Sequence, residues 1–260
     1  MYFVAKPNEE AKSFIQAAGL TDETQCRAIG TLVFDLKNYN LWDKMKAIYP
    51  MVGQAGVSSS FEFNLKNPST FRGTFYGGWT FASTGITGNG INAYFDSNFN
   101  QSLNLTPSNN HISIYSRTDF NSPAYPNLKV DCGVTNDTSF AFTEIQSRVA
   151  TFANFINGSQ NPTQNVLNSL GQFIGVGNVS NATIYKNGVN LQTDSNTQTR
   201  AMFNATIYFG ATHDAIADVA KYFSPREYAF ASIGDSLTDE EAANFYTAVQ
   251  RFQTTLGRQV

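Results

Sequence analysis

Two periodicities divide the chain. Over the first fifty residues, apolar side chains recur every three to four positions, the spacing of a helix face. Asn8 precedes Glu9 and Glu10 and can cap a first helix that Gly19 closes. Thr21 can cap a second, with Asp22 and Glu23 in its first turn and Cys26, Ile29, Leu32, Val33 and Leu36 along one stripe. LWDKMKAIY, carrying Leu41, Met45 and Ile48 before Pro50, predicts a short third helix. Helices of this length are marginal alone. They must dock on the rest of the chain or on the same region of another subunit, so residues 1–50 are expected to form a helical attachment or oligomerisation segment.

After Pro50 the period falls to two. Phe61, Phe63 and Leu65 share one face of SSFEFNL. In HISIYSRT, Ile112 and Ile114 oppose His111, Ser113, Tyr115 and Arg117. In NATIYFGA, Ala205, Ile207 and Phe209 oppose Thr206 and Tyr208. Many short alternating runs broken by Gly, Asn and Pro predict antiparallel strands in a sandwich or barrel over residues 51–260. ATIYKNGVNLQT is the sharpest hairpin, because Asn187-Gly188 supplies the two positive-φ residues of a type I′ turn. Near the C-terminus, Tyr228–Ile233 predicts a strand. Thr238 with Glu241 forms a capping box for a closing helix striped by Ala242, Phe245, Val249 and Phe252.

Composition sharpens this picture. Only 14% of residues are charged, against a usual quarter, so Asn, Ser, Thr and Gln must supply most of the polar surface. The net charge is −3 and no run of Lys or Arg occurs, which argues against nucleic-acid binding. Apolar runs are too short for membrane insertion. MYFVAKPNEEAKSF lacks a basic region followed by an apolar one, so no secretory signal is expected there. Cys26 and Cys132 lack CxxC spacing, which disfavours a zinc site or disulfide framework.

The segments GNGINAYFDSNF, NHISIYSRTDF, ATIYKNG, ATIYFGA and YAFASIGDSLTDEEAANFYTAV resemble, in this order, strands and the closing helix of concanavalin A-like and laminin-G-like domains. The resemblance implies a mainly β fold, an antiparallel two-sheet jelly-roll sandwich with a small N-terminal helical segment and a short C-terminal helix. From Phe14 to Val260 the chain also resembles structural proteins of tailed bacteriophages, in FIQAAGLTDETQCRAIGTLVFDLKNYNLWDKMKAIYPMVG, in FNLKNPSTFRGTFYGGWTFASTGITGNGINAYFDSNFN and in the C-terminal stretch. That resemblance implies a non-enzymatic virion protein: a surface-exposed head fibre, decoration or tail component. It would self-associate, as a trimer by analogy with viral fibres, and dock on capsid or tail proteins. It would be made in the host cytoplasm and released on lysis. The alternative is a carbohydrate-binding adhesin that recognises host or mucosal glycans.

Catalytic patterns are sparse. Laminarinase-like glycosidases of this fold resemble a three-acid strand, ExDxxE, which is missing here; Glu62 has no acidic partner at that spacing, and Asp131 and Glu144 stand apart. GxSxG, HExxH and GxGxxG are absent, and His111 and His213 are the only histidines. Asp96, Asn98 and Asn100 alternate in YFDSNFNQS, but one acid is too few for calcium. No metal, cofactor or catalytic residue is expected. For a glycan, an exposed aromatic with hydrogen-bonding neighbours is needed, and Trp79, His111, Tyr115 and Arg117 qualify by type.

Overall fold

A computed structural model describes residues 8–136, 141–157, 161–195 and 202–260. The first half of the segment read for a secretory signal lies outside these residues. In chain order the elements are α1 (Glu9–Ala17), α2 (Glu23–Asn38), β1 (Met45–Tyr49), β2 (Thr74–Tyr76), β3 (Trp79–Ala82), β4 (Gly85–Gly88), β5 (Tyr94–Asn100), α3 (Gln101–Asn104), β6 (Asn109–Ser116), β7 (Cys132–Thr135) and β8 (Ala141–Val149). They continue with β9 (Phe152–Ile156), β10 (Thr163–Asn165), β11 (Gly171–Asn178), β12 (Ala182–Lys186), β13 (Val189–Asp194), β14 (Thr206–Phe209), β15 (Thr212–Asp214), β16 (Val219–Lys221), β17 (Glu227–Gly234) and α4 (Asp239–Thr255).

The strands form two sheets. One runs β13-β12-β11-β6-β17-β4-β3, with β1 also paired to β17. The other runs β10-β9-β8-β7-β14-β5-β2, with β15 and β16 attached beside β7. Pairing is antiparallel except where β15 runs parallel to β7. The architecture is the expected mainly β, jelly-roll-like sandwich with small helical pieces at both ends.

Two cores follow from the strand alternation. Between the sheets pack Phe95, Phe99, Ile112, Ile114, Val134, Ile145, Phe155, Ile207 and Phe209, all buried. On the outer side of the first sheet a second core joins α1, α2 and α4 to Tyr115, Ile174, Val176, Tyr185 and Phe230. The helices therefore dock on their own chain: Ile29, Leu32, Val33 and Leu36 meet Phe245, Val249 and Phe252 over that sheet. A buried arginine ties the end of the chain to this layer. The Arg258 guanidinium donates to the carbonyls of Pro50, Met51 and Ala229 at 2.6, 2.8 and 2.7 Å.

Local expectations are met at the hairpin and the caps. Asn187 and Gly188 take φ of 50° and 74° between β12 and β13. A Cβ at Gly188 would lie 3.0 Å from the Ala243 backbone, so the turn is pressed against α4. The Thr238 hydroxyl accepts from Glu241 N, and the Glu241 carboxylate accepts from Thr238 N. Asn8 caps α1 as expected, whereas α2 is capped by Asp22 rather than Thr21.

Two elements differ from expectation. LWDKMKAIY is not a third helix but a 3-10 turn at Trp42–Lys44 followed by β1. β1 is buried on both sides, Met45 and Ile48 in the helix-side core and Ala47 and Tyr49 between the sheets. A doubly buried strand shows no polar alternation, so its apolar spacing mimics a helix face. SSFEFNL is not a strand either, but ends a 3-10 turn at Phe61. There the Asn64 side chain replaces ladder partners: its oxygen accepts from Ile48 N and Lys66 N, and its amide donates to Lys46 and Thr70 carbonyls.

Candidate functional site

The four candidates named from the sequence occupy two places. His111, Tyr115 and Arg117 share one side of β6 and its end, but that side is roofed by α4 and the C-terminus. His111 is fully buried, with Nδ1 2.6 Å from Asp235 O, Nε2 3.2 Å from Ser232 Oγ and the Phe245 ring edge-on at 5.9 Å. Burial depresses its pKa to about 4. The Tyr115 hydroxyl donates to Gln250 Oε1 at 2.9 Å and accepts from Val260 N at 2.9 Å. Arg117 bridges Glu227 at 2.8 Å and donates to Arg258 O at 2.7 Å. In this chain the three are structural groups that hold the C-terminal layer down. Trp79 stands elsewhere, half-buried at the rim of the inter-sheet core. Its indole N–H donates to Tyr94 O at 3.2 Å, and its ring lies against Gly210, where a Cβ would come within 2.6 Å.

Trp79 thus braces the back of a feature the sequence reading missed. On the three-strand patch β2-β5-β14, inward and outward aromatics alternate. Phe75, Phe95 and Phe209 point into the sandwich, with Phe75 and Phe95 4.5 Å apart. Their outward neighbours Tyr76, Tyr94 and Tyr208 form a ladder across the strands. Tyr76 stacks on Tyr94 at 4.7 Å and 11°, Tyr94 on Tyr208 at 4.7 Å and 30°, and Tyr208 on the His213 imidazole of β15 at 4.1 Å and 4°. Cross-strand ring pairs of this kind stabilise a sheet. The row also changes character along its length: Tyr76, on the edge strand β2, is 45% exposed, whereas Tyr208 and His213 are 7% and 5% exposed.

A polar fringe completes the face. Asp96, Asn98 and Asn100 project from the same side of β5 as Tyr94. Asp96 accepts from Asn98 N at 2.8 Å, and the Asn98 amide donates to Arg72 O at 2.7 Å and Thr74 Oγ1 at 3.3 Å. Burial raises the Asp96 pKa above the usual carboxylate range, opposed by the hydrogen bond from Asn98. Burial, and then the nearby carboxylates, push the Tyr208 phenol well up, and burial likewise raises Tyr94. Both phenols stay protonated at neutral pH and can donate. The His213 ring is set by Thr206 O at 2.9 Å from Nδ1 and Asp218 Oδ1 at 3.0 Å from Nε2.

The stacking decides what this face can do. Within a face-to-face row each inner ring spends both faces on its neighbours and shows solvent only edges and hydroxyls. Tyr76 covers one face with Tyr94 and, on the edge strand, is 45% exposed. The result is one flat apolar platform beside a line of hydroxyl, amide and carboxylate groups, the mixture that orients a small polar ligand. Other acids are committed elsewhere. Asp131 is fully buried against Arg226 at 3.0 Å and takes the Tyr228 hydroxyl at 2.7 Å; Glu144 is buried and takes the Gln146 amide. Among the described residues no group of three or more His, Cys, Asp or Glu could hold a metal ion. A shallow depression of about 310 Å³ at the foot of α1, lined by Ala17, Ala18, Gly19, Ser59, Ser60, Phe63 and Arg72, offers one charged group, and Glu62 holds that group at 2.8 Å.

No family model matches the chain, and no curated protein does. Solved structures do match. The sialidase of Trypanosoma rangeli in complex with 2,3-difluorosialic acid aligns over 85% of this chain and 38% of its own, at 10% identity and a TM-score of 0.53. Domain 4 of the extracellular arabinanase AbnA from Geobacillus stearothermophilus, in complex with arabinotriose, aligns over 78% of this chain and 98% of its own, at 12% identity and 0.51. The binding domain of botulinum neurotoxin DC in complex with rat synaptotagmin II aligns over 80% and 52%, at 13% identity and 0.52. The chain spans only 23% to 39% of the sialidases it matches. At these identities the likeness is one of fold: the chain shares a two-sheet β-sandwich with these domains.

Proposed function

We propose that this chain is a carbohydrate-binding module and that the tyrosine row on the outer face of the second sheet is its site. The observation that carries the reading is the row itself: a half-exposed Tyr76 at the open end, backed by Tyr94 and Tyr208 and bordered by Asp96, Asn98 and Thr74. A sugar ring lays its C–H face on the Tyr76 platform, and its hydroxyls meet the polar fringe. The neighbours lend support: the arabinanase domain is seen with arabinotriose and the T. rangeli sialidase with a sialic acid derivative. A glycan array spanning neutral, amino and sialylated sugars tests the reading. It predicts binding that Tyr76→Ala abolishes while stability falls by no more than about 1 kcal/mol; silence across the array, or binding indifferent to Tyr76→Ala, would overturn it.

In this reading the chain binds and does not cleave. Release of reducing sugar that disappears in Asp96→Asn would contradict that. A placement on the surface of a tailed-phage particle, with residues 1–50 as attachment segment and copies assembled as a trimer, rests on the sequence resemblance alone. Sedimentation and imaging of particles decide it: a monomer found on no virion would refute it, and the sugar site would stand independently.

A further inference from the structure

His213 ends the tyrosine row with hydrogen bonds that depend on a proton. Its Nδ1 lies 2.9 Å from the Thr206 carbonyl and its Nε2 3.0 Å from the Asp218 carboxylate. Both partners are acceptors, and a neutral imidazole carries a single N–H. The ring therefore satisfies both contacts only as the imidazolium. Its face lies on Tyr208 at 4.1 Å and 4°, a stack that also favours the charged ring.

Asp218 belongs to the turn between β15 and β16. That turn has its own internal order: Asp214 Oδ1 accepts from Ile216 N at 3.0 Å and Ala217 N at 3.1 Å, and Asp218 holds φ at 53°. The other charged groups nearby are engaged with different partners. Asp96 of β5 stands across from Tyr208 in the sheet and accepts from Asn98 N, and Asp214 of β15 pairs with Lys221 of β16 at 2.7 Å. From β7, Val134 lies opposite His213 and does not titrate.

When the ring loses a proton, one contact must go. The bond to the Thr206 carbonyl is part-buried, whereas the Asp218 side chain is 90% exposed and can turn to water. Abandoning the carbonyl costs more. The remaining N–H thus stays on Nδ1, and the Nε2 lone pair faces a carboxylate. We propose that His213 and Asp218 form a proton-operated clip: protonation of the imidazole fastens the β15–β16 turn to the inner end of the tyrosine row, and loss of that proton releases it. The clip lies at the end of the row opposite Tyr76, so it stands or falls independently of the sugar site.

Histidine is the side chain that changes charge between about pH 5 and about pH 8, which sets the window of the test. In the full chain with ring-labelled His, both N–H protons of His213 should be visible by NMR at the lower pH, each held by its acceptor out of exchange with water. At the higher pH only Nδ1–H should remain. His213→Gln identifies these signals. Amide hydrogen exchange, corrected for its intrinsic pH dependence, should show Ala215, Ile216 and Ala217 about twofold to fivefold better protected at the lower pH, the size of an exposed ion-pair contribution. In Asp218→Asn the side-chain amide can either accept from Nε2 or donate to it, so protection should no longer change with pH. Equal protection at both pH values in the unaltered chain, an Nε2–H lost to exchange at the lower pH, or a pH dependence that survives in Asp218→Asn would overturn the clip.

Discussion

The outer faces of the two sheets carry similar sequence and opposite fates. On β6 the residues pointing away from the sandwich are His111, Ser113 and Tyr115; on β5 and β14 they are Tyr94, Asp96 and Tyr208. Both sets mix aromatic and polar groups, and both alternate with core residues. The first set is sealed under α4 and spends its hydrogen bonds on the C-terminal layer. The second has no comparable helix over it among the described residues and keeps a tyrosine at the edge for solvent. On the proposed reading, a face becomes a site through what fails to dock on it, more than through its own composition.

The comparison can be broken first where the stakes are largest. Phe245 of α4 lies edge-on to Phe230 at 5.9 Å and to His111 at 5.9 Å and is fully buried. Phe245→Ala should cost about 3–5 kcal/mol in urea unfolding, the range for emptying a core aromatic. A loss below 1 kcal/mol would mean that α4 does not seal this face.

The second test uses pH. Below about pH 6.5 the unfolded chain protonates His111, while burial keeps the folded imidazole neutral until about pH 4. The unfolded state then binds the extra proton, so stability falls as pH drops from about 6.5 to about 4, by up to about 3 kcal/mol from this residue. His111→Gln should flatten that part of the pH–stability curve. An unchanged slope would place His111 in water.

The smallest stability effect belongs to the open face. Tyr76→Ala should shift unfolding by about 1 kcal/mol or less, the worth of one cross-strand ring pair, while glycan affinity falls at least about tenfold, as for loss of a stacking platform. A large stability loss with intact binding would invert the account of the two faces.

Much of the fold is legible in the chain because its signals are local. The Asn187-Gly188 turn, the Thr238–Glu241 box and the alternation of HISIYS each need only a few neighbouring residues. β1 escaped because it is buried on both sides and presents no polar face to read. The site was half visible: Thr206 and Tyr208 read as the outward side of their strand, and Asp96, Asn98 and Asn100 as alternating oxygen donors. What joins them is strand order. Tyr76, Tyr94, Tyr208 and His213 meet only because β2, β5 and β14 lie side by side and β15 pairs with β7, the neighbour of β14, a fact of long-range pairing that no local pattern encodes. Conversely, His111 and Tyr115 looked available because the docking of α4 is equally non-local.

The central claim, that the tyrosine row binds sugar and the β6 face does not, is tested most directly by aromatic-selective NMR. With ring-labelled Tyr and His, the full chain would be titrated with an oligosaccharide that scores on the array. The account predicts shifts at Tyr76, Tyr94, Tyr208 and His213, with Tyr115 and His111 unmoved. Shifts centred on Tyr115 and His111, with the row silent, would contradict it.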